Sequence, residues 1–141
     1  MINFFKKNDI KSSEKIDILS KTASLLIHAA KIDEEYTDKE KIIIKETLIE
    51  LGANKENIED LIKIAEQNEK NSNQIIDFTK EIKNTDENFK IKLIESLWKI
   101  VYSDNNSDDY ESNLIRRLSG LLYLDNKLVG DIKEKIKKDL K

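Results

Sequence analysis

The 141-residue chain is 38% hydrophobic and 38% charged, with a formal net charge of -3. A length of this order suits one domain that buries about 70% of its unfolded-chain surface, so no disulfide or structural zinc is needed. The absence of cysteine removes thiol chemistry and fits a reducing cytoplasm, and the near-balance of charge argues against a nucleic-acid partner, which needs a basic excess on one face.

No apolar run approaches the roughly 20 residues that span a bilayer. At the start, "MINFFKKNDIK", Phe4 and Phe5 precede Lys6 and Lys7. That order reverses the basic-then-apolar plan of a signal peptide. Packing of the two aromatics against the domain or a partner is expected, in a cytoplasmic protein.

With no proline and three glycines, little interrupts helices, and β-type alternation is missing. The fold class is all-α, a compact bundle of about seven helices. The first runs from about Ser13 to Ile32, with Ile16, Leu19, Ala23, Leu26, Ile27 and Ala30 on its buried stripe. The second starts after Thr37 and stops at Gly52, a C-terminal glycine. A third covers about Lys55 to Lys70 and buries Ile58, Leu61, Ile62 and Ala65. The polar stretch "NEKNSNQ" reads as a connection. A short fourth helix follows, about Asn73 to Lys83, using Ile75, Ile76, Phe78 and Ile82.

The fifth helix, about Asp86 to Ser103, has Asn84 or Thr85 as its expected cap. It buries Phe89, Leu93, Leu97, Trp98, Ile100 and Val101. The sixth spans about Asp109 to Tyr123 and the seventh about Asn126 to Leu140, with Ile132, Ile136 and Leu140 inward. The lysines of "DIKEKIKKDLK" complement a helix C-terminus and wet a surface face.

An offset of 71 residues lays Asp104 on Asp33 and Glu111 on Glu40. The same offset lays Leu97 on Leu26, Val101 on Ala30, Ile115 on Ile44 and Leu122 on Leu51. Identity is weak, but apolar phase and the acid pair persist through both halves. This predicts two related helix–acidic loop–helix units. The single histidine, His28, falls on Lys99, which marks a rim position and not a catalytic base.

The loops "AAKIDEEYTDKEKIII" and "IVYSDNNSDDYESNLI" hold the candidate site. Thr37 with Glu40, and Asp108 with Glu111, have capping-box spacing, worth about 1 kcal/mol with no ligand. Asp33 and Asp104 instead sit near helix C-termini, where the macrodipole disfavours a carboxylate. A cation would compensate, and hard oxygen ligands suit Ca²⁺ or Mg²⁺. Neither loop is an EF-hand: Asp38 and Asp109 stand where that loop needs Gly, and Ile44 and Ile115 where it needs Glu. No Glu-x-x-His pair supports a di-iron bundle.

The segments "HAAKIDEEYTDKEKIIIKETL" and "LWKIVYSDNNSDDYESNLIRRLSGLL" resemble the tellurite-resistance TerB-like domain family, over roughly residues 15 to 135. The chain looks most like stand-alone, single-domain members. The resemblance implies a helical bundle with an acidic cluster that binds divalent metal, in a stress or metal-resistance setting. Carried over, the metal ligands are Asp33, Glu40, Asp104 and Glu111. Where members often show Asp-Gly, Glu34 and Asn105 follow the aspartates. Glutamate tolerates a left-handed backbone poorly, so altered geometry is expected in the first loop.

The function expected is therefore a non-catalytic, cation-binding module. The alternative is a metal-independent scaffold whose acidic face docks a protein partner. An enzyme ranks third, for want of a nucleophile–base pair, a phosphate loop or a cofactor fingerprint. No pattern specifies an oligomeric state.

Overall fold

A computed structural model describes residues 12–31, 37–71, 76–80, 82–103 and 109–139. Their order is α1 (Ser12–Ala30), α2 (Asp38–Glu50), α3 (Ile58–Asn71), α4 (Ile76–Thr79), a 3₁₀ turn (Ile82–Asn84), α5 (Glu87–Ser103), α6 (Asp109–Leu121) and α7 (Asn126–Asp139). Among the described residues there is no strand, and no helix is long and apolar enough to cross a membrane. Six of the helices have 13 or more residues. The expected fourth helix is reduced, within the described residues, to one four-residue turn and the 3₁₀ turn. Its Phe78 and Ile82 are nevertheless buried.

Helix directions follow from side-chain contacts. On α1 and α3 the pairs ascend together: Ser24 Oγ lies 3.0 Å from the Ala65 carbonyl, and His28 Nδ1 3.3 Å from Glu69. These helices run parallel, and the small Ala23 and Ser24 let them approach. On α2 and α5 the pairs run in opposite senses. Thr47 Oγ1 meets Ser96 Oγ at 2.6 Å, while Glu50, further along α2, pairs with Lys92, further back on α5. Lys45 with Glu59 and Lys41 with Glu66 likewise make α2 antiparallel to α3. The ends of α1, α3 and α5 and the start of α2 therefore share one end of the bundle.

One apolar cluster joins both halves, from Leu26, Ile27, Ile44 and Leu48 to Phe89, Leu97, Ile115 and Leu122. The four apolar pairs named under the 71-residue offset, Leu26 with Leu97, Ala30 with Val101, Ile44 with Ile115 and Leu51 with Leu122, are all buried. Shifting α2 by 71 residues also reproduces the bounds of α6. Their exits match: Ala53 N–H donates to Leu48 O at 2.8 Å, and Leu124 N–H donates to Ser119 O at 2.8 Å. These are six-to-one Schellman bonds, which need a left-handed residue at the break. Gly52 supplies it with φ 117°, and Tyr123 with φ 61°.

Several boundaries and caps differ from the sequence expectation. Ile16, assigned to the buried stripe, is 57% exposed, because the inward face of α1 begins at Ile18 and Leu19. Ile16 instead joins Leu19, Leu61 and Ile64 on a groove of about 410 Å³. Helix α3 starts at Ile58, three residues late, because Asn54 makes an Asx turn: its Oδ1 accepts from Glu56 N–H at 2.9 Å. The first part of "NEKNSNQ" remains helical to Asn71. Neither Asn84 nor Thr85 caps α5. Asp86 does, accepting from Phe89 N–H at 2.9 Å, while Thr85 closes the preceding turn on Ile82 O. The expectations for Phe4, Phe5, Ile75 and Leu140 lie outside the described residues.

Candidate functional site

The capping box at the start of α2 is complete. Thr37 is extended (φ -81°, ψ 162°). Its Oγ1 accepts from Glu40 N–H at 3.1 Å, and Glu40 Oε1 accepts from Thr37 N–H at 2.8 Å and Thr37 Oγ1–H at 3.0 Å. Glu40 is only 2% exposed. A buried carboxylate needs such donors to offset the loss of water. Asp38, in the same first turn, is exposed beside the positive helix end.

Of the other predicted ligands, Asp33 and Asp104 lie outside the described residues, as does Asp108. Glu111 falls in the first turn of α6, and only its backbone is described. Among the described residues no three His, Cys, Asp or Glu side chains are grouped to hold a metal. What the described helices do establish is the setting. Ser103, the last residue of α5, leads into the second acidic segment at the bundle end where Lys31 enters the first and Thr37 leaves it.

That end carries a charge cluster that sequence patterns did not expose. Glu69, near the end of α3, accepts from Lys31 Nζ at 3.0 Å and stands 3.3 Å from His28 Nδ1. Lys41 stands 4.0 Å from Glu66. His28 is a half-buried rim residue tying α1 to α3, as its alignment with a lysine suggested. The link needs α1 and α3 parallel, which no local spacing announces. Neither the groove beside Ile16 nor a second cavity beside Trp98 is lined by Glu40.

Residues 19–134 match the family described as Tellurite resistance protein TerB. The chain belongs to the TerB family. The match takes in α2 through α6 and most of α1 and α7, so both acidic segments fall inside the TerB region. No curated protein and no solved structure matches the chain.

Proposed function

We propose that this TerB-family chain is a non-catalytic, single-domain cytoplasmic module whose acidic inter-helix segments bind a divalent cation, Ca²⁺ or Mg²⁺, in a stress or metal-resistance setting. Asp33, Glu40, Asp104 and Glu111 are the proposed ligands. One observation carries the reading: the antiparallel contact of α2 with α5 brings the start of α2, where the first segment ends, and the end of α5, where the second begins, to the same end of the bundle. Carboxylates brought together at that end would repel one another unless a cation joined them. The coincidence of α2 and α6 under the 71-residue offset, with matching C-terminal breaks, supports descent of the two segments from one duplicated unit.

Titration of the ¹⁵N-labelled chain with Ca²⁺ and then Mg²⁺ tests it. Saturable amide shifts around Asp33 and Asp104 are expected, and both should vanish in the doubly substituted Asp33→Asn, Asp104→Asn chain. Silence of both segments at millimolar metal would sink the proposal.

The burial of Glu40 in its own cap favours a second reading, since its place needs no metal. The acidic end would then dock a basic protein surface. In that case charge reversal at Glu34 and Glu35 abolishes partner capture and a chelator leaves it unchanged.

A further inference from the structure

The groove beside Ile16, about 410 Å³ in volume, lies between the starts of α1 and α3 and the turn that joins α2 to α3. Helices α1 and α3 run parallel, so Ile16 with Leu19 and Leu61 with Ile64, each pair spaced i, i+3, line its two sides. Leu19 and Leu61 are buried, but Ile16 is 57% and Ile64 51% exposed. Asn54, Asn57 and Asp60 give this apolar surface a polar edge. Apolar grooves of this size with polar rims are the usual seats of a docked ligand or segment.

Chain topology and composition select an occupant. Outside the described residues, the stretches 32–36, 72–75 and 104–108 adjoin the ends of α1, α3 and α5, at the acidic end of the bundle. Residues 1–11 instead lead into Ser12, at the groove's end. The chain has four phenylalanines. Phe78 and Phe89 are buried in the core, and the other two, Phe4 and Phe5, belong to this stretch. One aromatic side chain buries on the order of 150–250 Å², so the pair is ample to cover two isoleucines.

Reach and charge agree with that occupant. Ile16 stands about 6 Å along the axis of α1 from Ser12. Residues 6–11 span at most about 20 Å, and Asn8 and Asp9 among them are residue types that favour turns. Phe4 and Phe5 therefore reach the groove by turning back over the start of α1. The stretch holds Lys6, Lys7 and Lys11 against Asp9. The described lining has one cation, Lys15, and one acid, Asp60, which is exposed in the first turn of α3 with Glu56 exposed just before it. Among the described residues neither acid has an ion-pair partner, whereas Glu59, Glu66 and Glu69 do.

We propose that residues 1–11 dock on this groove of their own chain, with Phe4 and Phe5 laid over Ile16, Leu61 and Ile64 and with Lys6 and Lys7 towards Glu56 and Asp60. The segment is a built-in strap that pins the start of α1 to α3. It sits at the opposite end of the bundle from the acidic segments and stands or falls independently of the cation reading.

The full chain, labelled at its isoleucine methyls and phenylalanine rings, tests this by NMR. Nuclear Overhauser contacts from the Phe4 and Phe5 rings to the Ile16 and Ile64 methyls are expected, and they should persist on dilution. They should be missing from a filtered spectrum of mixed labelled and unlabelled chains, which reports only contacts between copies. The double substitution Phe4→Ser, Phe5→Ser should abolish the contacts and speed amide exchange at Ile18 and Leu19 by about tenfold or more, the scale of uncovering one aromatic side chain. Ile64→Glu, at an exposed position outside the core, should do the same from the groove's side. A dispersed amide spectrum verifies each variant's fold. Phenylalanine rings without contact to either isoleucine overturn the proposal. Contacts found only between copies also overturn it, and make the groove a dimer interface. So do exchange rates that both variants leave unchanged.

Discussion

Tyr123 occupies a conformation that costs a non-glycine residue roughly 1–2 kcal/mol. It is 76% exposed, so little packing offsets that cost. The equivalent break after α2 uses Gly52, for which φ 117° is unstrained. Tyr123→Gly should therefore stabilise the chain by about 1 kcal/mol, and Gly52→Ala should destabilise it by at least about as much. Urea melts of the two variants measure both. Thr37→Ala removes a cap and leaves Glu40 buried with one less donor. A loss of about 1–3 kcal/mol is expected by the same melts, larger than for an exposed cap.

The contact between α2 and α5 rests on a buried hydroxyl pair and an ion pair. One of the two hydroxyls spends its proton on the other, and each also has a carbonyl of its own helix in reach, Ile43 O at 2.8 Å for Thr47 and Lys92 O at 3.1 Å for Ser96, so each keeps an acceptor if the other is removed. Ser96→Ala should cost only about 1 kcal/mol, as read by denaturant unfolding. The hydrogen bond to Glu50 raises the Lys92 pKa above its ordinary value, with burial opposing and the charges of Glu50 and Glu95 assisting. A raised folded-state pKa contributes stability that is fully present below the unfolded value, about 10.4, and is lost as pH rises through the folded one. The stability gap between wild type and Glu50→Gln should accordingly stay constant near neutrality and close above about pH 10.4 in melts.

These elements also show what the sequence could and could not convey. The stripe Ile58, Leu61, Ile62, Ala65 was legible because 3.6-residue periodicity is local. So was the Thr37–Glu40 cap, a four-residue pattern. The cap at Asp86 was missed, since the spacing pointed to Asn84 or Thr85, and Thr85 instead closes the preceding 3₁₀ turn. Glu69 and the Trp98 cavity were illegible, because they depend on how distant helices face each other.

At the scale of the molecule, the two ends of the bundle differ in character. Helix α2, 13 residues long, separates them by about 20 Å. If the acidic end holds a cation, Mn²⁺ should broaden the amides of Lys31, Thr37, Asn71 and Ser103 and spare those of Gly52 through Asn57. Uniform broadening of both ends, in the same spectra, would count against a defined site. The parallel run of α1 beside α3 has a further consequence, for the order in which the chain folds. Each of its bonds, Ser24 to Ala65 and His28 to Glu69, closes a span of 41 residues. Closing a flexible loop of that size carries an entropy term of roughly 3 kcal/mol, before its constant. A bundle of successive hairpins would avoid it. Helix α1 gains its best neighbour only after α2 and α3 have been laid down, so folding should be slower than in an up-and-down bundle of the same length.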